Sequence, residues 1–295
     1  MQENPHTGSV PAQHNSGVHA PNAEQSRAWN GDDGRHWVDH TQRYESILQG
    51  FDRPLLQAAE LSTADRVLDV GCGCGQSTFA AARLVPTGAV TGLDLSEPML
   101  AYARDRAGPT QSAEVTFELG DAQRHAFLPG GYDAVISRFG VMFFADPSAA
   151  FTNIAAAVRP GGRLAFVCWQ PADRNPWTRK TAGTLAEYVD FPDEGEHRCG
   201  PFAFADPARI REVLAGTGFV DVDITAITEP MRTADDVEDA IGFICEGSMA
   251  TALTEAGPDL ATRALDAVRA ALAPHETDDG LVLPGHAWLV SARRA

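Results

Sequence analysis

The sequence predicts an α/β fold of the doubly wound kind, a mostly parallel sheet with helices on both faces. Three observations carry this. An apolar run, Val67, Leu68 and Val70 with Asp69 inside it, breaks into glycine at every second position, Gly71, Gly73 and Gly75. A second strand-like run, Ala89 to Leu95, places Asp94 near its end. Strand-like and helix-like stretches then alternate as far as Trp169, the order that builds parallel sheets.

The glycine turn comes first. A buried parallel strand that turns sharply toward a helix reads as an apolar run followed by glycines. Glycines there let a ligand approach the backbone. The helix over 76–85 would point its free N-terminal amides at that ligand. A dinucleotide turn, G-x-G-x-x-G, needs a third glycine where this chain has Gln76. Asp69 instead puts a carboxylate at the head of the turn. That disfavours a pyrophosphate and favours a cationic ligand such as S-adenosyl-L-methionine (SAM), which has an ammonium, a sulfonium and no phosphate.

Here the chain resembles the class I SAM-dependent methyltransferases, whose first motif is an acidic residue followed by G-x-G-x-G. The resemblance implies a Rossmann-like, seven-stranded sheet with an N-terminal helical lid and helical insertions. It covers residues 60–170. The cofactor implied is SAM, with S-adenosylhomocysteine (SAH) as product.

Composition narrows the partners. Of 295 residues, 44% are hydrophobic and 21% charged, which are globular values. A formal charge of −17 counts against nucleic acid, whose binding rests on Lys and Arg neutralising phosphates. No apolar run is long enough to span a bilayer, and no signal or transit peptide is indicated. The expectation is a cytoplasmic protein with a small-molecule substrate and no nucleic-acid or membrane partner. Monomer and homodimer are both left open. Five cysteines in a long chain without a leader read as reduced thiols. Cys72-x-Cys74 has no partner pair nearby, so no metal site is expected.

Along the chain, residues 1–27 are polar and rich in Pro, Asn, Gln, Gly and His. They form an expected disordered tail. Residues 28–295 form the methyltransferase domain, beginning with a helical lid over 28–61. Trp37, His40 and Tyr44 recur at three- and four-residue spacing and so share one helix face. That face is either a lid over the cofactor or ordinary core. Asp94 sits where a ribose diol is gripped in such sheets. Ser96 is expected to cap the next helix, with Pro98 in its first turn. Leu95 and Met99 would pack beside the ribose or adenine.

A third strand, Glu114 to Leu119, leads into Gly120, Asp121 and Ala122. The resemblance implies that this tripeptide binds adenine. The fourth strand ends at Ser137, which the resemblance adds to the cofactor set with Gly71, Cys72, Gly73 and Gly75. Enzymes that methylate nucleic-acid bases usually carry Asn/Asp-Pro-Pro-aromatic after this strand. Here that slot holds Ser137-Arg138-Phe139-Gly140, which again points to small molecules. After the fifth strand, two insertions, 170–205 and 230–275, interrupt the pattern. The sixth strand is expected over 219–228. Thr233 to Asp236 reads as a capping box.

Methyl transfer from a sulfonium is an in-line displacement for which the cofactor supplies the hard chemistry. The protein aligns the reactants and excludes water, so no fixed catalytic residue carries over. Candidates are His40, Tyr44 and Arg138, with His125 beyond the adenine loop. Phe139, Met142, Phe143, Trp169 and Trp177 would wall the substrate side, suiting a flat apolar acceptor or a cationic amine. The reading is a natural-product or quinone type of methyltransferase acting on an aromatic or heteroaromatic metabolite at carbon, nitrogen or oxygen, an indole ring carbon included. Alternatives are an aliphatic amine N-methyltransferase and a non-catalytic SAM- or SAH-binding protein. A dehydrogenase is the weakest rival.

Overall fold

The apolar run ahead of the glycines becomes the central strand of the sheet, with Val67, Leu68 and Asp69 wholly buried. The computed structural model describes residues 22–108, 113–190, 199–246 and 249–295. Eight strands follow in chain order: β1 (Arg66–Val70), β2 (Ala89–Asp94), β3 (Glu114–Leu119), β4 (Tyr132–Arg138), β5 (Val158–Trp169), β6 (Phe219–Ala234), β7 (Glu276–Thr277) and β8 (Gly280–Arg294). Seven form the path β3-β2-β1-β4-β5-β8-β6, and the two-residue β7 pairs with β8. Strands β1 to β5 pair in parallel, while β8 runs antiparallel to both β5 and β6. The winding direction reverses between β1 and β4, which opens a crevice at the strand carboxyl ends.

Four short helices precede the sheet: α1 (Ala23–Asn30), α2 (Asp32–Asp39), α3 (Thr41–Leu48) and α4 (Asp52–Ala58). The expected disordered tail, 1–27, lies outside the described residues up to 21. From 22 onward it needs correction, because α1 is docked on the sheet's carboxyl edge. The polar composition of this segment hides its anchors. Ser96 Oγ donates to Trp29 O at 2.6 Å, Asn30 Nδ2 donates to Leu95 O at 2.8 Å, and Glu97 N donates to Asn30 Oδ1 at 3.0 Å. The one helix expected to carry Trp37, His40 and Tyr44 on a shared face is two helices, broken at His40, whose backbone leaves the helical region.

Between the strands lie α5 (Gln76–Ala82), α6 (Glu97–Arg106), α7 (Pro147–Ala157), α8 (Pro176–Lys180), α9 (Ala182–Leu185) and α10 (Pro207–Leu214). Capping follows the sequence. Ser96, Asp146 and Asp206 accept from Met99 N, Ala149 N and Ala208 N, and a proline sits in each first turn. The helices α11 (Val237–Glu246), α12 (Ala250–Ala256) and α13 (Pro258–Leu272) complete the chain's helical roof.

The sixth strand does not stop at 228. It runs on to Ala234, so Thr233 is strand and the cap before α11 is Asp236, whose Oδ1 accepts from Asp239 N at 2.8 Å. Pairing with β5 ends at Trp169 and Ala287, yet β6 and β8 stay paired out to Ala234 and Leu281. The two strands therefore leave the sheet as a ribbon that projects past its carboxyl edge. A second hydrophobic cluster, including Val237, Ile241, Leu272, Leu281 and Leu283, joins ribbon to roof helices. The 230–275 insertion is thus strand as far as Ala234.

Candidate active site

The crevice holds a cavity of about 500 Å³. Its floor is the turn after β1, where backbone meets backbone. Gly71 has φ +68°, and a Cβ there would lie 2.7 Å from Gly140 Cα. A side chain at either glycine would push the β1 and β4 turns apart and fill the space beside Cys72 and Gly73.

Asp69 lies behind this wall. It is fully buried, and its Oδ2 accepts from Ser77 Oγ and Thr78 Oγ1, both at 2.7 Å. Those bonds pin the first turn of α5 beneath the glycine loop. Burial raises the Asp69 carboxyl to about 6, against the pull of the Thr78 and Ser77 bonds. Its Oδ1 has no hydrogen-bond partner. A buried carboxylate with an unsatisfied oxygen suits a cationic group placed across the turn.

Asp94 lines the cavity. Its Oδ2 accepts from Gly73 N at 2.7 Å and its Oδ1 from Ser96 N at 2.9 Å, so each oxygen keeps a lone pair. Burial raises its pKa, with the Ser96 and Gly73 amides working against that. Leu95, Met99, Gly120, Asp121 and Ala122 continue the wall. Asp121 Oδ1 accepts from Gln123 N at 3.0 Å and from Asn22 Nδ2 at 3.1 Å. Asn22 itself accepts from Ala145 N at 2.7 Å through its Oδ1. This buried residue bridges two sheet-edge loops at the start of the described chain. Nothing in its polar neighbourhood signals that.

Trp37 and Tyr44 line the cavity and stack with ring centroids 3.8 Å apart and planes 1° from parallel. The stack survives the helix break because both residues face inward. Burial lifts the Tyr44 hydroxyl to about 12, so it remains a donor at neutral pH. Arg138 also lines the cavity, but its guanidinium is held by Asp52 Oδ1 and Gln76 Oε1, each at 2.9 Å.

Phe139 carries a positive φ of 60°, a strained backbone for a bulky residue. Its ring stacks on Trp169 at 4.0 Å and meets Phe51 edge-on. Trp169 contacts Trp177 at 5.3 Å, and Phe143 packs edge-on against Trp29. Phe139, Met142, Phe143, Trp169 and Trp177 all line the cavity. Trp169 and Met142 are also core residues, 7% and 2% exposed.

Five expected site residues are not in the cavity wall. Gly75 starts α5 from behind the turn. Ser137 is fully buried and donates to Val70 O at 2.6 Å, tying β4 to β1. Asp69 supports the turn as described. His40 faces a separate polar cleft on the outside of the lid, its Nε2 3.6 Å from Glu246. His125 pairs with Glu118 at 3.1 Å, also away from the cavity. In the other direction, Met231, Leu281 and Leu283 on the ribbon and Phe243 on α11 line the cavity without having been singled out. The alternation of Leu281 and Leu283 was the available signal. Among the described residues, no three His, Cys, Asp or Glu side chains cluster as metal ligands.

A doubly wound sheet with this glycine turn and acidic strand ends defines a nucleoside-binding methyltransferase class. A methyltransferase domain family matches residues 67–162. Nocamycin O-methyltransferase of Saccharothrix syringae is 35% identical over 193 residues, covering 61% of this chain and 69% of that protein. Trans-aconitate 2-methyltransferase of Deinococcus radiodurans is 30% identical over 207 residues, covering 68% and 72%. Among solved structures, Haemonchus contortus phosphoethanolamine N-methyltransferase 2, bound to phosphomonomethylethanolamine and SAH, superposes with a TM-score of 0.53 at 22% identity. That match covers 87% of this chain and 57% of the other, and it concerns the fold. The chain belongs to the class I SAM-dependent methyltransferases. Its cofactor is SAM.

Proposed function

We propose that this methyltransferase acts on an uncharged aromatic or heteroaromatic small molecule of the natural-product kind. The observation that carries the reading is the acceptor side of the cavity, where the Phe139–Trp169 stack and Trp177 supply flat apolar walls. Among the described lining residues the sole Lys or Arg is Arg138, already engaged by Asp52 and Gln76. An anion such as trans-aconitate would meet no free cation among these residues. The name of the nocamycin enzyme supports a small-molecule acceptor.

The bound cofactor supplies an electrophilic methyl group and a neutral leaving sulfur. Asp94 would accept from the ribose hydroxyls, and Asp121 and Ala122 would meet the adenine. Gly71, Cys72 and Gly73 would line the methionine portion, with Leu95 and Met99 packed beside the nucleoside. Asp69, one layer behind, would favour the ammonium electrostatically. Trp37 and Tyr44 would cover this end and keep water out.

Among the described lining residues no general base stands on the acceptor side. Tyr44 stays protonated at neutral pH, and Glu45 is paired with Arg106. Arg138 is a positioning residue that braces α4 against α5. The acceptor therefore brings a nucleophile that needs no prior deprotonation, an electron-rich ring carbon or a heteroaromatic nitrogen. Screening phenols, indoles and amines for SAH release tests this. Turnover restricted to uncharged aromatic rings is the expected result. Preference for a carboxylate-bearing or aliphatic amine acceptor would overturn it.

A further inference from the structure

The cavity does not end at the aromatic walls. Trp177 packs against both hydrophobic clusters and stands where they meet. Beyond it the lining changes character to Ala240, Ile244, Met249, Leu272, Leu281 and Leu283. These side chains come from α11, the start of α12, α13 and the β6–β8 ribbon, which close around one space.

Among the described residues, the few hydroxyls at this end have already given their protons to backbone carbonyls. Thr178 Oγ1 shares its one proton between Ala172 O and Asn175 O, both at 2.7 Å. Thr181 Oγ1 donates to Trp177 O at 2.5 Å, and Thr233 Oγ1 to Leu281 O at 3.1 Å. Their protons are taken, so a ligand portion here finds no hydroxyl donor and at most a few acceptor oxygens in an otherwise apolar wall, which favours an apolar portion because buried polar groups left unpaired are costly. The wall is aliphatic rather than flat, so it suits a flexible chain better than a second ring. Ala182 on α9 and Ala240 on α11 are small where they face the space, and they set its width.

We infer that the acceptor is bipartite: a planar head at Phe139 and Trp169, and an uncharged aliphatic arm lying between α11, α13 and the β6–β8 ribbon. This rests on the aromatic-acceptor reading for the head and on the second cluster alone for the arm. Ala182 and Ala240 are then specificity-determining positions for arm length.

The test is a chain-length series, phenol and its 4-ethyl, 4-butyl and 4-hexyl derivatives, bound to the SAH-loaded protein in a calorimeter. Each buried methylene should tighten Kd by about three- to fourfold. Ala240→Phe should abolish that gain while leaving phenol and SAH affinities within about twofold. Because overfilling a packed site can unfold it, Ala182→Leu serves as a second variant, with a thermal melt to confirm folding. A flat series overturns the arm, and so does a gain that both variants keep. If the series binds with the expected slope yet Trp169→Leu, still folded in the thermal melt, leaves the affinity of phenol itself unchanged, the head assignment falls while the arm stands.

Discussion

Asn22 Nδ2 donates to Asp121 Oδ1 at 3.1 Å, joining the first described residue to the loop after β3. The same amide accepts from Ala145 N at 2.7 Å, so one side chain holds two loops of the cavity rim. From Asn22 onward the N-terminal segment is therefore part of the cavity rim rather than a tether. Asn22→Ala should raise the Kd for SAH about five- to tenfold, the worth of one to two hydrogen bonds. Removing residues 1–20 should leave it unchanged, whereas removing 1–30 should not. Equal affinity for the full chain and the 1–30 deletion would return α1 to the surface.

Asp94 bridges the glycine loop and the start of α6 through Gly73 N and Ser96 N. Asp94→Asn removes the charge while keeping one acceptor. The SAH Kd should rise by the equivalent of about 2–4 kcal/mol, the value of charge-assisted bonds to the ribose. Unchanged calorimetric affinity in a folded variant would remove Asp94 from the ribose.

Asp69 predicts a pH dependence of stability. Burial holds its carboxyl near 6 in the folded protein, against about 3.9 unfolded. Between those values the folded state binds more protons, so this contribution is fully present below about pH 4 and is lost as pH rises through 6. Asp69→Asn lacks the titration. Relative to the parent, it should gain about 1–2 kcal/mol of stability between pH 5 and 7.5 in urea melts. A pH-independent difference would mean that Asp69 is ionised throughout.

Much of this was legible in the sequence, for definable reasons. Strands β1 and β2 were bounded closely because buried parallel strands are short apolar runs, ended here by Gly71 and Asp94. Asp94 and Asp121 sit in the cavity wall where strand ends place them. The β6–β8 ribbon was cut short because Pro230 and Pro284, which face each other across it, read as breaks. Asp69 and Ser137 were placed in the site because adjacency in sequence does not say which way a strand residue points. His40 shares a helix face with Trp37 and Tyr44 only if the helix is continuous, and it breaks at that residue. Asn22 had no signal, since its partners lie 99 and 123 residues away.

Tyr44 keeps its proton at neutral pH and lies stacked on Trp37 in the cavity wall. On the proposed cofactor placement its hydroxyl would donate to the cofactor carboxylate. Tyr44→Phe should raise the KM for SAM about fivefold with kcat little changed, the loss of about 1 kcal/mol. A wild-type KM would make Tyr44 packing alone.

The central claim is that cofactor and acceptor occupy different parts of one cavity, with Trp177 on the acceptor side. Trp177→Ala is the most direct probe, since the residue is only partly buried and its Nε1 donates to a neighbouring side chain, Asn175 Oδ1, at 3.1 Å. The measurement pairs calorimetric SAH affinity with kcat/KM for the best acceptor found by screening. The account predicts SAH affinity within about twofold of the parent and kcat/KM lower by at least about tenfold, the loss of one aromatic wall. Weakened SAH binding with acceptor selectivity intact would contradict it.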